Sequence, residues 1–535
     1  MFFGGPSKNV HHLFKQPDYD NLSTLVGRLK RAAIDAYMRS QGFRVSDRYY
    51  SQQIGMNPDY GDLNAYIVRP DEAGNGGGEG VNGPFMHAPF TYVDEFEGIR
   101  NFIDGKLEMW YGLPSPSGFD TYISAYKEAI GKICSDDSGA VEADGNGASI
   151  GGGQLKMLDG VSPGLIGVNL QGLVHSASSM KGKVMNAFRS QFALTLPRVL
   201  KNLYLAVNVH YSTLAAERAV IDEAREKISC LVADATRAFN AVAHDNGASS
   251  SFAWDIAGVA FEIAMLPFGG GAVSLALAGA SASLHLLRAG VEEVERMQEH
   301  ELGSSTYEGV RDNFEAIVDA LGVEVRGCEK VINDNLTHNM GVIQGDVCGA
   351  GQQQNGGRCE TYDTVRFHLL PASIHDIEEA ENVDINENEV NLMTTESRDG
   401  GYMPKIYSEV VESANKLNDI TMSTPARRTS GDFGIGEVGP GSSFDSLKQV
   451  IHELLLDLSW RVEMGIVNLR AAVNDIAQQD EESARQLESI AALVDEGSGI
   501  NPWDQESQGS TNLRTLPDGI DSDALSGIES LMKPS

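Results

Sequence analysis

The residues able to carry chemistry are few and do not converge. Gly434-Ile435-Gly436-Glu437-Val438-Gly439 spells G-x-G-x-x-G, the pattern that lets backbone amides approach a pyrophosphate at the start of a helix. That chemistry needs a β-strand before the glycines and a βαβ unit around them. No strand pattern precedes this run and Pro440 follows at once, so the glycines read as linker. Asp384, Asn386 and Asn388 repeat the first three oxygen donors of a calcium loop, but Glu389 stands where the loop must turn on glycine. The bidentate glutamate position falls on Thr395, so the cage is incomplete and an acidic, solvated loop is the better account. His11-His12 and His375-Asp376 lack partners at metal-ligand spacing. No P-loop, H-E-x-x-H, G-x-S-x-G or C-x-x-C sequence is present. The expectation is a protein that is not an enzyme and uses no cofactor and no metal.

Five cysteines in 535 residues do not make a disulfide scaffold. Cys348 and Cys359 stand apart, because the Gly/Gln-rich segment between them brings its ends together easily. Closing it would stabilise by roughly 3 kcal/mol in an oxidising compartment. Two unconnected thiols in a loop is the other reading.

Charge narrows the partners further. With 41 Lys+Arg against 75 Asp+Glu the formal net charge is -34, a surface that repels phosphate backbones and anionic headgroups. Nucleic acid and polybasic membrane attachment are both disfavoured. The opening Met1-Phe2-Phe3-Gly4-Gly5-Pro6 lacks the basic region and apolar run of a cleaved signal. The chain is therefore expected to be cytoplasmic, or to leave the cytoplasm for the medium or cell envelope by a route that cuts no signal.

The elements that would position any site are mostly helical, and a chain this long predicts at least two packed units plus tails. Residues 1–85 read as an N-terminal extension, with a helix near Leu22–Gln41 and a linker at Gly74-Asn75-Gly76-Gly77-Gly78. Residues 86–134 contain two helical runs broken at Trp110-Tyr111-Gly112-Leu113-Pro114, which predicts a helical hairpin. A flexible acidic linker follows at 135–160. Helical periodicity through 161–343 predicts a bundle of long antiparallel helices, interrupted by the apolar segment 252–287. Residues 344–442 are acidic and irregular, with short helical pieces such as Pro404–Leu417. In 443–495 the positions Leu447, Ile451, Leu454, Leu458, Val462, Ile466, Leu469 and Val473 recur by threes and fours. They draw a narrow apolar seam suited to pairing with another helix, in cis or in trans. Residues 496–535 have the composition of a disordered tail. The fold class is mainly α: a long antiparallel helical bundle with helical hairpins and acidic linkers.

Trp110-x-Gly112 lies where the hairpin must turn. An indole there can cover the open end of two helices, while glycine permits the reversed backbone. It serves equally as an ordinary core-capping tryptophan. Its placement resembles the W-x-G helical-hairpin proteins exported by type VII (ESX) secretion systems, with the likeness confined to residues 92–133 and 443–495. In that family a Y-x-x-x-D/E signal lies beyond the second helix and is read by the secretion machinery. Here no such tyrosine follows the hairpin. The C-terminal helix carries Ile476-x-x-x-Asp480-x-x-x-Ala484, similar to the family's Y-x-x-x-D-x-x-x-A ending with isoleucine for tyrosine. The resemblance thus implies a non-enzymatic helical protein acting by helix–helix association, with itself or a helical partner, and exported beside a partner that supplies the tyrosine.

The alternative is an α-helical pore-forming toxin. From Ile263 to Leu284 no residue is charged, and a run of about 22 residues could nominally cross a bilayer. Pro267 and Gly269-Gly270-Gly271 break a single span, so two short helices folded on each other are expected. Buried core is the favoured reading of that hairpin, and entry into lipid is the other.

Overall fold

The computed structural model describes residues 18–57, 61–81, 91–134, 164–244, 251–254, 274–276, 283–285, 298–345, 367, 369, 386–395, 401–420 and 439–479. The protein is mainly α-helical. Nearly all of the buried apolar residues among the described residues belong to one continuous cluster.

The organising element is helix α6, Leu196–Ala243; earlier in the chain come α1 (Leu22–Ser40), α2 (Val93–Leu107), α3 (Asp120–Ile133), α4 (Ile166–Ser179) and α5 (Lys183–Phe188). Pro197 falls in the first turn of α6, where its missing N–H breaks no helical hydrogen bond. Every residue from Asn202 to Glu217 is buried, the mark of a helix enclosed on all sides. Its neighbours are α1, α3, α7 (Tyr307–Gly345) and α10 (Gly441–Gln479). Between α7 and α10 lie α8 (Glu387–Thr394) and α9 (Tyr402–Asn418). Helix α9 packs on α3, α4 and α10 through Met403, Ile406, Val410, Ala414 and Leu417, so part of the stretch expected to be irregular belongs to the core. Asn386, one of the calcium-like donors, is the N-cap of α8: its side chain accepts from the Asn388 amide.

Helices α6 and α7 run antiparallel. Phe239 near the end of α6 meets Tyr307 at the start of α7, with ring centroids 5.8 Å apart, and the two helices pack on each other.

Three expectations are corrected. Residues 1–85 were expected to be an extension with a linker, yet α1 lies along α6 and carries an antiparallel sheet of β1 (Arg44–Val45), β2 (Tyr49–Asn57) and β3 (Gly61–Val68) in the order β1-β2-β3. Buried Asp35 of α1 accepts from Arg69 (2.8 Å to Nε) and from the Tyr50 hydroxyl (2.7 Å), which pins the sheet to the helix. The glycine run is a packed turn: Gly78 has φ +94°, and a Cβ there would stand 2.8 Å from the Val93 amide nitrogen.

Second, α2 and α3 do not lie along each other as a hairpin. Helix α2 packs on α1 and α7, and α3 on α6 and α9. Tyr111 and Ser115 are extended, Ser115 as the residue before Pro116 should be, and the connection sends the two helices to larger apolar partners.

Third, the described parts of 252–287 are strands rather than helices. β4 (Ser251–Trp254) pairs antiparallel with β7 (Gln298–Glu301), and β5 (Ser274–Ala276) with β6 (Ser283–His285). An apolar run of this length fits a strand as well as a helix, and periodicity alone does not separate them. The linker 135–160, the tail 496–535, Cys348, Cys359, Asp480, Ala484, the paired histidines and nearly all of the G-x-G-x-x-G run lie outside the described residues.

Candidate functional site

The W-x-G turn is a clamped internal corner. After α2 the chain tightens into a 3-10 turn, Glu108–Trp110, that buries the Trp110 ring completely. Gly112 follows with φ +74°, a conformation a residue with a Cβ adopts only with strain. The Tyr19 hydroxyl donates to the Trp110 carbonyl oxygen at 2.5 Å and accepts from the Leu113 amide at 2.9 Å. Arg225 of α6 covers the Tyr19 ring at 4.2 Å and donates to Pro114 O at 2.9 Å. Arg218, two turns earlier, donates to Pro116 O at 3.2 Å and pairs with Asp120 at 3.1 Å. Trp110 thus faces the core, and the large side chain exposed beside it is Tyr111.

The seam of α10 is also occupied. Its stripe residues from Leu447 to Val473 are buried against α9, α7 and α6. Leu455, Glu453 and Asp457 are buried too, so the covered face is wider than the stripe.

Polar groups inside the helices tie these elements together. His210 of α6 is fully buried between α3 and α10: its Nδ1 lies 2.7 Å from the Tyr126 hydroxyl and its Nε2 2.9 Å from Phe444 O. A neutral ring satisfies both contacts, with Nε2–H donating to the carbonyl and Nδ1 accepting from the hydroxyl. Burial holds its pKa down to about 3. Glu217, two turns along the same helix, is equally buried, and burial followed by the charge of Glu329 pushes its pKa well above the ordinary glutamate value. Sequence reasoning missed Glu217, although an acidic residue inside the apolar run of α6 was a legible signal.

The remaining feature is the insert between α6 and α7. Its two ends are joined by the β4–β7 ladder. Inside it β5 and β6 pair in the register Ser274 with His285, Leu275 with Leu284 and Ala276 with Ser283. Strand β6 lies against both α6 and α7. Among the described residues no helix is long and apolar enough to cross a membrane, and no three His, Cys, Asp or Glu side chains gather as a metal site. No family model, curated protein or solved structure matches the chain.

Proposed function

We propose that this chain is a non-enzymatic helical protein that enters lipid bilayers through the insert between helices α6 and α7. The observation that carries the reading is the insert's placement: its ends are tied by β4–β7 and its inner strand β6 lies against α6 and α7. The absence of charge from Ile263 to Leu284 supports the same reading, because a charged side chain at bilayer depth costs several kcal/mol. Two paired strands satisfy only their facing backbone groups, whereas lipid requires every group to be satisfied. Entry therefore calls for several copies joined edge to edge, or for conversion of the segment to helix. Release of a trapped dye from liposomes, at neutral and at mildly acidic pH, tests the reading.

A second reading rests on a separate observation, that Trp110 and Gly112 sit in a turn joining two helices. It is export by a type VII route followed by association with a helical partner. Comparing culture filtrate from strains with and without the secretion ATPase tests it: loss of the chain from the filtrate in the mutant supports this route, and equal amounts contradict it.

A further inference from the structure

Exposed apolar surface gathers on one strand of the sheet. Of the eight large hydrophobic side chains that stand exposed among the described residues, three belong to β2: Tyr49 at 39%, Ile54 at 41% and Met56 at 74%. No residue of β2 is charged, and Asp62 is the one charged residue of β3. Sheet edges are ordinarily protected by charge, by proline or by a covering segment. Here the cover is partial. On the outer side of β3, Val81 N–H donates to Tyr66 O at 2.8 Å, Val68 N–H to Glu79 O at 2.9 Å and Gly78 N–H to Val68 O at 2.8 Å. Residues 78–81 thus close the edge from Tyr66 to Val68. Strand alternation turns the N–H and C=O of Asn64 and Asp62 to that same side, since the extra residue of the bulge at Gln53/Gly55 lies in β2 and leaves β3 regular. No strand among the described residues pairs with them there.

We propose that this open edge of β3 pairs with the same edge of a second copy of the chain, joining two molecules through one continuous sheet. Antiparallel pairing about a two-fold axis is self-complementary. Centred on Leu63, it sets Leu63 opposite Leu63 and Asn64 of each copy opposite Asp62 of the other, where the two exchange N–H and C=O. No like charges then face each other across the ladder. The charge of the whole chain argues for the same occupant. At a net charge of -34, a basic partner is drawn to the acidic surface, whereas a second copy is repelled by it and meets least repulsion at the nearly neutral β2–β3 hairpin. Ile54 and Met56, on the strand beside the edge, supply apolar surface for the contact. The pairing stands whether or not the insert enters lipid.

Sedimentation of the full chain over a concentration series reaching about 0.1 mM should show a monomer–dimer equilibrium. Asn64→Pro removes the outward N–H and leaves the bonds between β2 and β3 in place, as proline does on an edge strand. It should weaken association by roughly tenfold or more. Asn64→Asp sets carboxylates opposite each other and should weaken association too, whereas Asn64→Lys sets unlike charges opposite and should keep or tighten it. If circular dichroism shows that Asn64→Pro does not fold, the two charge variants give the same reading. A wild type that stays monomeric at the highest concentration would overturn the proposal and leave the edge to an extended segment of another protein. A dimer equally stable in all three variants, or weakened as much by Asn64→Lys as by Asn64→Asp, would overturn it as well.

Discussion

The Tyr19 hydroxyl bridges the backbone of the W-x-G turn, donating to Trp110 O at 2.5 Å and accepting from the Leu113 amide at 2.9 Å. One side chain from before the first long helix thereby fixes the corner where α2 gives way to α3. Tyr19→Phe keeps the ring beneath Arg225 and removes both bonds, stranding two peptide groups. We expect a loss of about 1–3 kcal/mol, read by denaturant unfolding. Trp110→Ala should lose about 3–5 kcal/mol because it empties a fully buried site. Unchanged stability in both variants would return Trp110 to the class of surface recognition residues.

His210 sets an acid limit. Its pKa is held down to about 3 by burial, so its contribution is fully present above the ordinary histidine value and is lost as pH falls through the lowered one. The stability gap between wild type and His210→Gln should narrow by up to about 1.4 kcal/mol per pH unit below about pH 6. A gap that stays constant between about pH 7 and about pH 4 contradicts the buried, neutral assignment.

The apolar seam of α10 predicts a loss of stability without a change of assembly. Leu454 and Leu458 are buried against helices of the same chain, so Leu454→Asp or Leu458→Asp should destabilise by several kcal/mol. Light scattering of the wild type and of whatever fraction of each variant stays folded should give the same oligomeric state. A wild-type oligomer that these changes dissociate would place the seam in trans.

How much of this was legible follows from the kind of signal. The stripe from Leu447 to Val473 and the pattern around α6 are long and periodic, and both emerge as helices. What covers them was not legible, because an apolar stripe says that a partner exists and not whether it belongs to the same chain. The hairpin expectation at 92–133 failed because helix spacing carries no information on packing partners, and Pro114 and Pro116 steer the helices apart. The glycine run at 74–78 read as linker since composition does not distinguish a free segment from one whose positive φ angles are demanded by packing against Val93. The insert was read as helix because small and apolar residues suit both geometries.

The most direct measurement is dye release from liposomes by the chain with its insert strands locked and unlocked. Ala276 and Ser283 stand directly opposite in the β5–β6 pair, a spacing that a disulfide spans. The double substitution Ala276→Cys with Ser283→Cys should form a bond, mapped by mass spectrometry, that suppresses release. Reduction should restore it to the wild-type level. Intact liposomes with the wild-type chain at both neutral and mildly acidic pH, or release that ignores the lock, would contradict membrane entry through the insert.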